Sequence, residues 1–363
     1  MSGPIIVNSK EINNPVAKAV IAIFATLFAG GLTAAILFVV LPVVGIVVSF
    51  SISLAAVIFV TLGLGMITFS SLASALTLFG CFGLFGCFGM TNEHVEQVEK
   101  NLSFEGVELV RLRNVNGGVR ITSWEKPEVF VKATKKVRAS SDEKAKEYAQ
   151  EVKIRIEKVG DTIEIITEHP KAHKPRFIGG VSVEYDVTMP EKANLDAKST
   201  NGSMNVAGII GETSAETTNG SVSIRDCEGK IILKTTNGRM DIEEISGSVG
   251  AKTSNGSISA RLAILDGESG FETTNGSIDV RIKEVHSVPL AANTTNGSIT
   301  IEIPSDFAAD IEANTTNGRI RSDLPITVAG NISKTSLHGE LNGGGPLMKL
   351  KTTNGNINIR SSE

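Results

Sequence analysis

One tetrapeptide governs what this chain can fold into. Thr-Thr-Asn-Gly, or a near copy such as Ser199-Thr-Asn-Gly or Thr253-Ser-Asn-Gly, occurs eight times, with Asn at 201, 219, 237, 255, 275, 296, 317 and 354. The first seven are separated by 18, 18, 18, 20, 21 and 21 residues. Ser336-Leu-His338-Gly339 lies 21 beyond Asn317 and reads as a degenerate copy, and Asn116-Gly117 as an outlying one. Apolar residues stand three and five positions after Asn, as in Met204/Val206, Val222/Ile224, Met240/Ile242, Ile278/Val280, Ile299/Ile301 and Ile357/Ile359, with a polar residue between. Another small or apolar residue, from Ala197 through Leu233 and Phe271 to Leu350, stands four before. Period two means strand, with one face buried and one wet. Asn tolerates positive φ and Gly adopts it without strain, so each Asn-Gly reads as a turn.

A repeat of about 20 residues cannot bury its apolar face alone, and a constant corner at a near-constant period is the mark of a coil stacked on its own copies. The expectation is a β-solenoid, β-helix-like, of about nine to ten coils. The alternative is a meander sheet of repeated β-hairpins. In the stacked form Asn201, Asn219, Asn237, Asn255, Asn275, Asn296, Asn317, His338 and Asn354 form one structural turn ladder, pairing side chains along the axis as Asn ladders do in cross-β assemblies. At an inter-strand spacing of about 4.8 Å, nine coils extend roughly 40 Å.

Charge splits the chain. Of its 74 Asp, Glu, Lys and Arg residues, three precede position 91, and none lies between Lys18 and Glu93. Membrane helices need about 20 apolar residues each, so residues 15–90 read as a transmembrane region of two or three spans behind a polar tail, 1–14. The run is far longer than a signal-peptide core. Lys10 and Lys18 favour a cytoplasmic N-terminus. Three spans then place the remainder outside the cytoplasm, the side preferred here, and two leave it facing the cytoplasm. Leu78-Phe-Gly-Cys-Phe-Gly is duplicated at once, so Gly80, Gly83, Gly86 and Gly89 recur every third residue. Small residues let membrane helices approach closely, which makes these four candidates for packing or self-association.

Residues 91–190 form a β-rich lead-in with one short helix from Asp142, opened by the capping-box-like Ser140-Ser-Asp-Glu143. Residues 191–363 are the Asn-Gly repeats proper, and their end, Asn356-Ile-Asn-Ile-Arg-Ser-Ser-Glu, is polar at alternate positions as suits a last coil that must not pair further. The recurring Thr-x-Asn-Gly-x-Ile and the strand Val187-Thr-Met-Pro190 resemble the bacterial "putative adhesin" family, a β-strand-repeat domain of unknown function, over about residues 104–363. That resemblance implies a β-solenoid module, often tethered to a membrane, and carries no catalytic residue with it.

The chemistry is sparse. No GxSxG, P-loop or HExxH is present, three cysteines are too few for a disulfide framework, and a net charge of −4 with 5% aromatics excludes a basic or base-stacking nucleic-acid binder. No cofactor, metal site or catalytic residue is expected. Asp241 with Glu243 could serve a polysaccharide-active enzyme, the least favoured reading, since charged wet faces explain them better. What repeats is a polar row three before each Asn: Lys198, Glu216, Lys234, Lys252, Glu272, Asn293, Asn314 and Lys351. Six of these, Lys198, Glu216, Lys234, Lys252, Glu272 and Lys351, form a candidate binding strip. The expected protein is a membrane-anchored, non-enzymatic adhesion, sensing or protein-interaction module of the cell envelope. Its expected partners are the lipid bilayer, a protein or envelope polymer, and a second copy of itself. The alternative is a structural scaffold or spacer oligomerising through the membrane region.

Overall fold

The computed structural model describes residues 5–7, 10–12, 92–170, 175–328 and 333–362. The chain divides into two compact units, residues 1–88 and 89–363. In the first, the described residues are an antiparallel pair, Ile5–Val7 with Lys10–Ile12. The expected spans and Gly80, Gly83, Gly86 and Gly89 lie outside the described residues. Among the described residues no helix is long and apolar enough to cross a membrane.

The second unit is a stack of coils. Each has an approach strand, an Asn-Gly corner and an exit strand, as in Asn194–Lys198 and Met204–Ala207 around Asn201. Approach strands pair in parallel and in register with approach strands (Ala197 opposite Ala215, Ala215 opposite Leu233) and exit strands with exit strands (Val206 opposite Ile224, Ile224 opposite Ile242). The hairpin alternative is therefore not the fold, because the strands flanking a corner belong to different parallel ladders. The period-two residues point inward as read: Met204, Val222, Met240, Ile258, Ile278, Ile299 and Ile357 are all buried, as are Ala197, Ala215, Leu233, Phe271 and Leu350 on the opposite ladder. A short third side buries Ile209, Cys227 and Ile245.

Not every inward position is apolar. Thr213 is fully buried between Leu195 and Ile231, and its hydroxyl has no partner. An unmade bond on a buried hydroxyl costs about 1–3 kcal/mol. Thr213→Val is therefore expected to raise stability by about 1 kcal/mol in a denaturant melt, and a loss of stability would show that the hydroxyl is satisfied after all.

The coils are not stacked in chain order. The Asn354 coil, strands Leu347–Thr352 and Ile357–Ser362, lies between the Asn296 and Asn317 coils: Leu350 pairs with Ala292 on one side and Ala313 on the other, and Ile357 with Ile299 and Ile320. The same inversion occurs at the start. The Asn116 coil, Leu109–Arg113 and Val119–Trp124, sits between the Asn201 coil and one made of Thr162–Glu168 and Ile178–Pro190. Among the described residues nine Asn corners plus that lead-in coil make ten layers, within the expected nine to ten. Two expectations are corrected. The C-terminal strand is paired on both edges, so its alternating polar residues mark an outward face and not a bare end. His338 is not a corner residue: it lies in the strand Ser336–Leu341, which runs antiparallel to Ala309–Thr315 with His338 opposite Glu312. Its tetrapeptide has the spacing but lacks the Asn whose amide both donates and accepts, and Asn354 takes the place.

Antiparallel strands close both ends. Lys153–Val159 covers Thr162–Glu168, Glu128–Ala139 covers Ile178–Pro190 and is itself covered by Asn92–Ser103, and Ser336–Leu341 covers the Asn317 approach strand. The edge strand Asn92–Ser103 carries Glu93, Glu96 and Glu99, a charged border of the kind that discourages further pairing. Helix α1 (Asp142–Glu151) packs at this end, capped by Ser141 Oγ, which accepts from Lys144 N at 3.3 Å, one residue later than the capping-box reading placed it. Its C-terminal carbonyls are met by a buried cation: Lys135 Nζ donates to Ala149 O at 2.6 Å and Val152 O at 3.1 Å and ion-pairs with Glu96 at 2.7 Å. The Lys135 hydrogen bond, against a smaller desolvation effect, holds the Glu96 carboxyl below its ordinary range.

Candidate functional site

The corner explains the tetrapeptide residue by residue. Each Asn side chain donates from Nδ2 to the Oδ1 of the Asn one layer back, from Asn201 to Asn116 at 2.7 Å and from Asn219 to Asn201 at 2.8 Å, onward through Asn237, Asn255, Asn275 and Asn296. The series then crosses to Asn354 and ends with Asn317 donating to Asn354, both at 2.8 Å. All eight bonds point the same way along the axis. Asn201, Asn219, Asn255, Asn275 and Asn296, each followed by Gly-Ser, thus have their amide nitrogens engaged in this ladder.

The first Thr of the tetrapeptide is buried, and its hydroxyl donates to the Gly carbonyl of the preceding layer, as in Thr217 to Gly202 O (3.1 Å), Thr235 to Gly220 O (3.0 Å) and Thr352 to Gly297 O (2.9 Å). Ser199 begins the series with no partner, and the Gly117 carbonyl accepts instead from Asn114 Nδ2 at 3.2 Å. Asn114 belongs to a buried network with Thr167 and Tyr185, whose hydroxyls lie 2.7 Å apart, and burial pushes the Tyr185 phenol up to about 12.

At Gly117, Gly202 and Gly276 the corner glycine has the positive φ expected of an Asn-Gly turn, but a second requirement acts at the corners as well. At Gly220, Gly238, Gly256 and Gly297 the backbone is not left-handed. Instead the layers approach so closely that a Cβ on Gly238 would lie 1.9 Å from the Gly220 carbonyl oxygen. Close backbone approach is the second use of glycine.

The residues three before each Asn lie in one row, in an order the chain does not follow, and Arg113 joins it: Arg113, Lys198, Glu216, Lys234, Lys252, Glu272, Asn293, Lys351 and Asn314 are neighbours in register. Its charges partly cancel along the axis. Lys198 bridges Glu216 at 3.0 Å and Lys252 bridges Glu272 at 2.6 Å, while Lys234 and Lys351 are exposed with no ion-pair partner among the described residues. Exposed pairs of this kind contribute only about 0.2–1 kcal/mol each, so the row does little to hold the fold. Beside it Thr218, Thr236, Thr274 and Thr295, each just before a corner Asn, form an exposed hydroxyl row, and a shallow groove separates the two near Lys252, Glu272 and Asn293.

The carboxylates considered for acid–base chemistry are on the outer face of the exit ladder. Asp241 is bound by Arg239 Nε at 2.7 Å and Glu243 by Arg261 at 2.9 Å. Cys227 is buried, with its thiol pushed up by desolvation. No cluster of three or more metal-ligating side chains occurs among the described residues.

A parallel stack of Asn-cornered coils with antiparallel caps defines a capped β-solenoid-like repeat domain. The chain belongs to the Toastrack DUF4097 family, which it matches over residues 119–360, within the span where the motif resemblance placed it. No curated protein matches it. Among solved structures it is similar to a putative adhesin from Bacteroides fragilis at 12% identity, over 74% of this chain and 97% of that one, with a TM-score of 0.40. It is similar also to a putative cell adhesion protein from Clostridium sporogenes (13% identity, 74% and 100% covered, TM-score 0.21). A third is a putative lipid binding protein from Parabacteroides distasonis (12% identity, 75% and 98% covered, TM-score 0.29).

Proposed function

We propose that this chain is a non-enzymatic binding module of the cell envelope, anchored by membrane spans within residues 15–90, with its repeat domain outside the cytoplasm. The observation that carries this reading is the in-register polar row from Arg113 to Asn314 on a stack whose corners are fixed by eight amide hydrogen bonds. A rigid array of equivalent side chains, one per layer, offers many weak contacts that add by avidity to a partner, whether a protein, an envelope polymer or a second copy. Lys234 and Lys351, charged and unpaired, are the positions where the row has most to offer a partner.

Three measurements test it. A tag placed after Glu363 should be digested by protease added to intact cells, and protection until lysis would place the domain in the cytoplasm and remove the envelope role. Lys234→Glu combined with Lys351→Glu should reduce retention of native-envelope partners at least tenfold without shifting the melting temperature. Unchanged retention would show that the row is only a solvated face. Loss of oligomer on Gly83→Leu with Gly86→Leu, with retention intact, would favour the scaffold reading.

A further inference from the structure

The exit ladder carries arginines on its outer face: Arg225 stands exposed with no ion-pair partner among the described residues, and four others are paired. Arg120 binds Asp186 at 3.1 Å, Arg239 binds Asp241 at 2.7 Å, Arg261 binds Glu243 at 2.9 Å and Arg281 binds Glu302 at 2.8 Å. At the C-terminal end of the same face the pattern breaks. Arg319, Arg321 and Arg360 are all exposed, and none has an ion-pair partner or a side-chain hydrogen bond among the described residues.

These three are brought together by the out-of-order coil. Ile320 pairs with Ile357, Arg321 with Asn358 and Ser322 with Ile359, so Arg319 and Arg321 project from the last exit strand and Arg360 from its neighbour. Residues two apart on one strand face are about 6.7 Å apart, and adjacent strands about 4.8 Å. Arg319 is further fixed through its backbone N, which donates to Asn356 Oδ1 at 3.0 Å. Lys334, whose carbonyl accepts from Ile320 N at 3.0 Å, brings a fourth exposed cation to the edge of that strand. The acidic residues nearby are Asp323, opposite Arg360, and Glu302, which Arg281 already holds.

We infer that this face is a binding site for a phosphate-bearing anionic polymer, with Arg319, Arg321 and Arg360 each taking a phosphate group. Guanidinium groups bind phosphate in bidentate fashion; Arg319 and Arg321 face Asn356 and Asn358, while Arg360 lies in register between Glu302 and Asp323. Spacing near 6.7 Å along the strand suits charges spread along a flexible polyanion more than a single compact anion. The surrounding outward residues, Asn356, Asn358, Ser298 and Thr300, are polar, whereas a site meant for a membrane surface would set apolar anchors beside its cations. The inference rests on reading the domain as a binding module but not on the row of Lys234 and Lys351, which belongs to the other ladder.

The test uses the full chain in a neutral detergent, with inorganic polyphosphate as the probe. Binding is expected, and it should weaken roughly 20- to 40-fold between 50 and 200 mM salt, as for about three neutralised phosphates. Arg319→Gln, Arg321→Gln and Arg360→Gln together should weaken binding at least tenfold and flatten the salt dependence. Arg261→Gln, at a guanidinium already held by a carboxylate, and the Lys234→Glu, Lys351→Glu pair should leave it unchanged, so failure here is distinguishable from failure of the row. Equal losses from Arg261→Gln, no binding of polyphosphate at all, or binding only to vesicles containing anionic lipid would each overturn the site.

Discussion

Gly238→Ala is expected to split the stack. The added methyl would meet the Gly220 carbonyl oxygen at 1.9 Å and its carbon at 2.5 Å, both backbone atoms of a neighbouring layer that cannot rotate away. Moving the layers apart would stretch the amide bond between Asn237 and Asn219 (2.8 Å), the Thr235 bond to Gly220 O (3.0 Å) and the flanking parallel ladders together. Since several of these break at once, the loss should be about 3–5 kcal/mol, at the extreme end for a single methyl group. Gly270→Ala is the control: no atom lies within 4 Å of the added Cβ there and the φ is ordinary, so stability should be unchanged or rise by about 0.4–1 kcal/mol. Denaturant midpoints of the two variants decide the matter, and equal midpoints would mean that the corner is looser than the geometry shows.

Ending the chain after Pro346 is the second large effect. The coil removed carries Met348, Leu350, Ile357 and Ile359, all essentially inaccessible, and it is paired on both sides. At about 1.5–3 kcal/mol for each buried aliphatic side chain, roughly 6–12 kcal/mol of burial goes with it. In a stack whose layers touch only their neighbours, the damage should be local. Amide exchange should therefore lose protection at the Asn296 and Asn317 layers and keep it from Asn201 to Asn255. Retained protection at Asn296 and Asn317 would show the two coils closing directly on each other, as their 21-residue spacing permits, and the inserted coil dispensable.

Much of this fold was legible because the repeat is both periodic and chemically specific. Val222, Ile224 and their equivalents declared the inward face, and the recurring Asn declared the ladder, since few residues other than an amide can donate and accept along one axis. The order of the last coils was not legible. Asn317 and Asn354 carry equivalent corners, and nothing local says which should stack on Asn296; only the covering strand Ser336–Leu341 and the double pairing of Leu350 resolve it. Lys135 escaped for a related reason, because a lysine in an alternating strand reads as wet until a helix end is laid over it. The second requirement on the corner glycine was hidden as well, since crowding between layers is a property of the stack and leaves no mark on a single copy. Within the candidate site, the row around Lys234 was visible as a spacing. The unpaired cluster of Arg319, Arg321 and Arg360 exists only because a distant segment is laid between layers.

The inverted order at both ends bears on how the domain carries load. A coil at the free end of a stack can be peeled, one hydrogen bond at a time, from a single neighbour. Here the first and last Asn-cornered coils in the chain, those of Asn116 and Asn354, are each clamped between two layers. Tension drawn through the C-terminal coil must shear two ladders in the same instant instead of unzipping one. The C-terminal coil is therefore harder to peel than a coil at a free end, whereas the edge strand Asn92–Ser103 is held along one side.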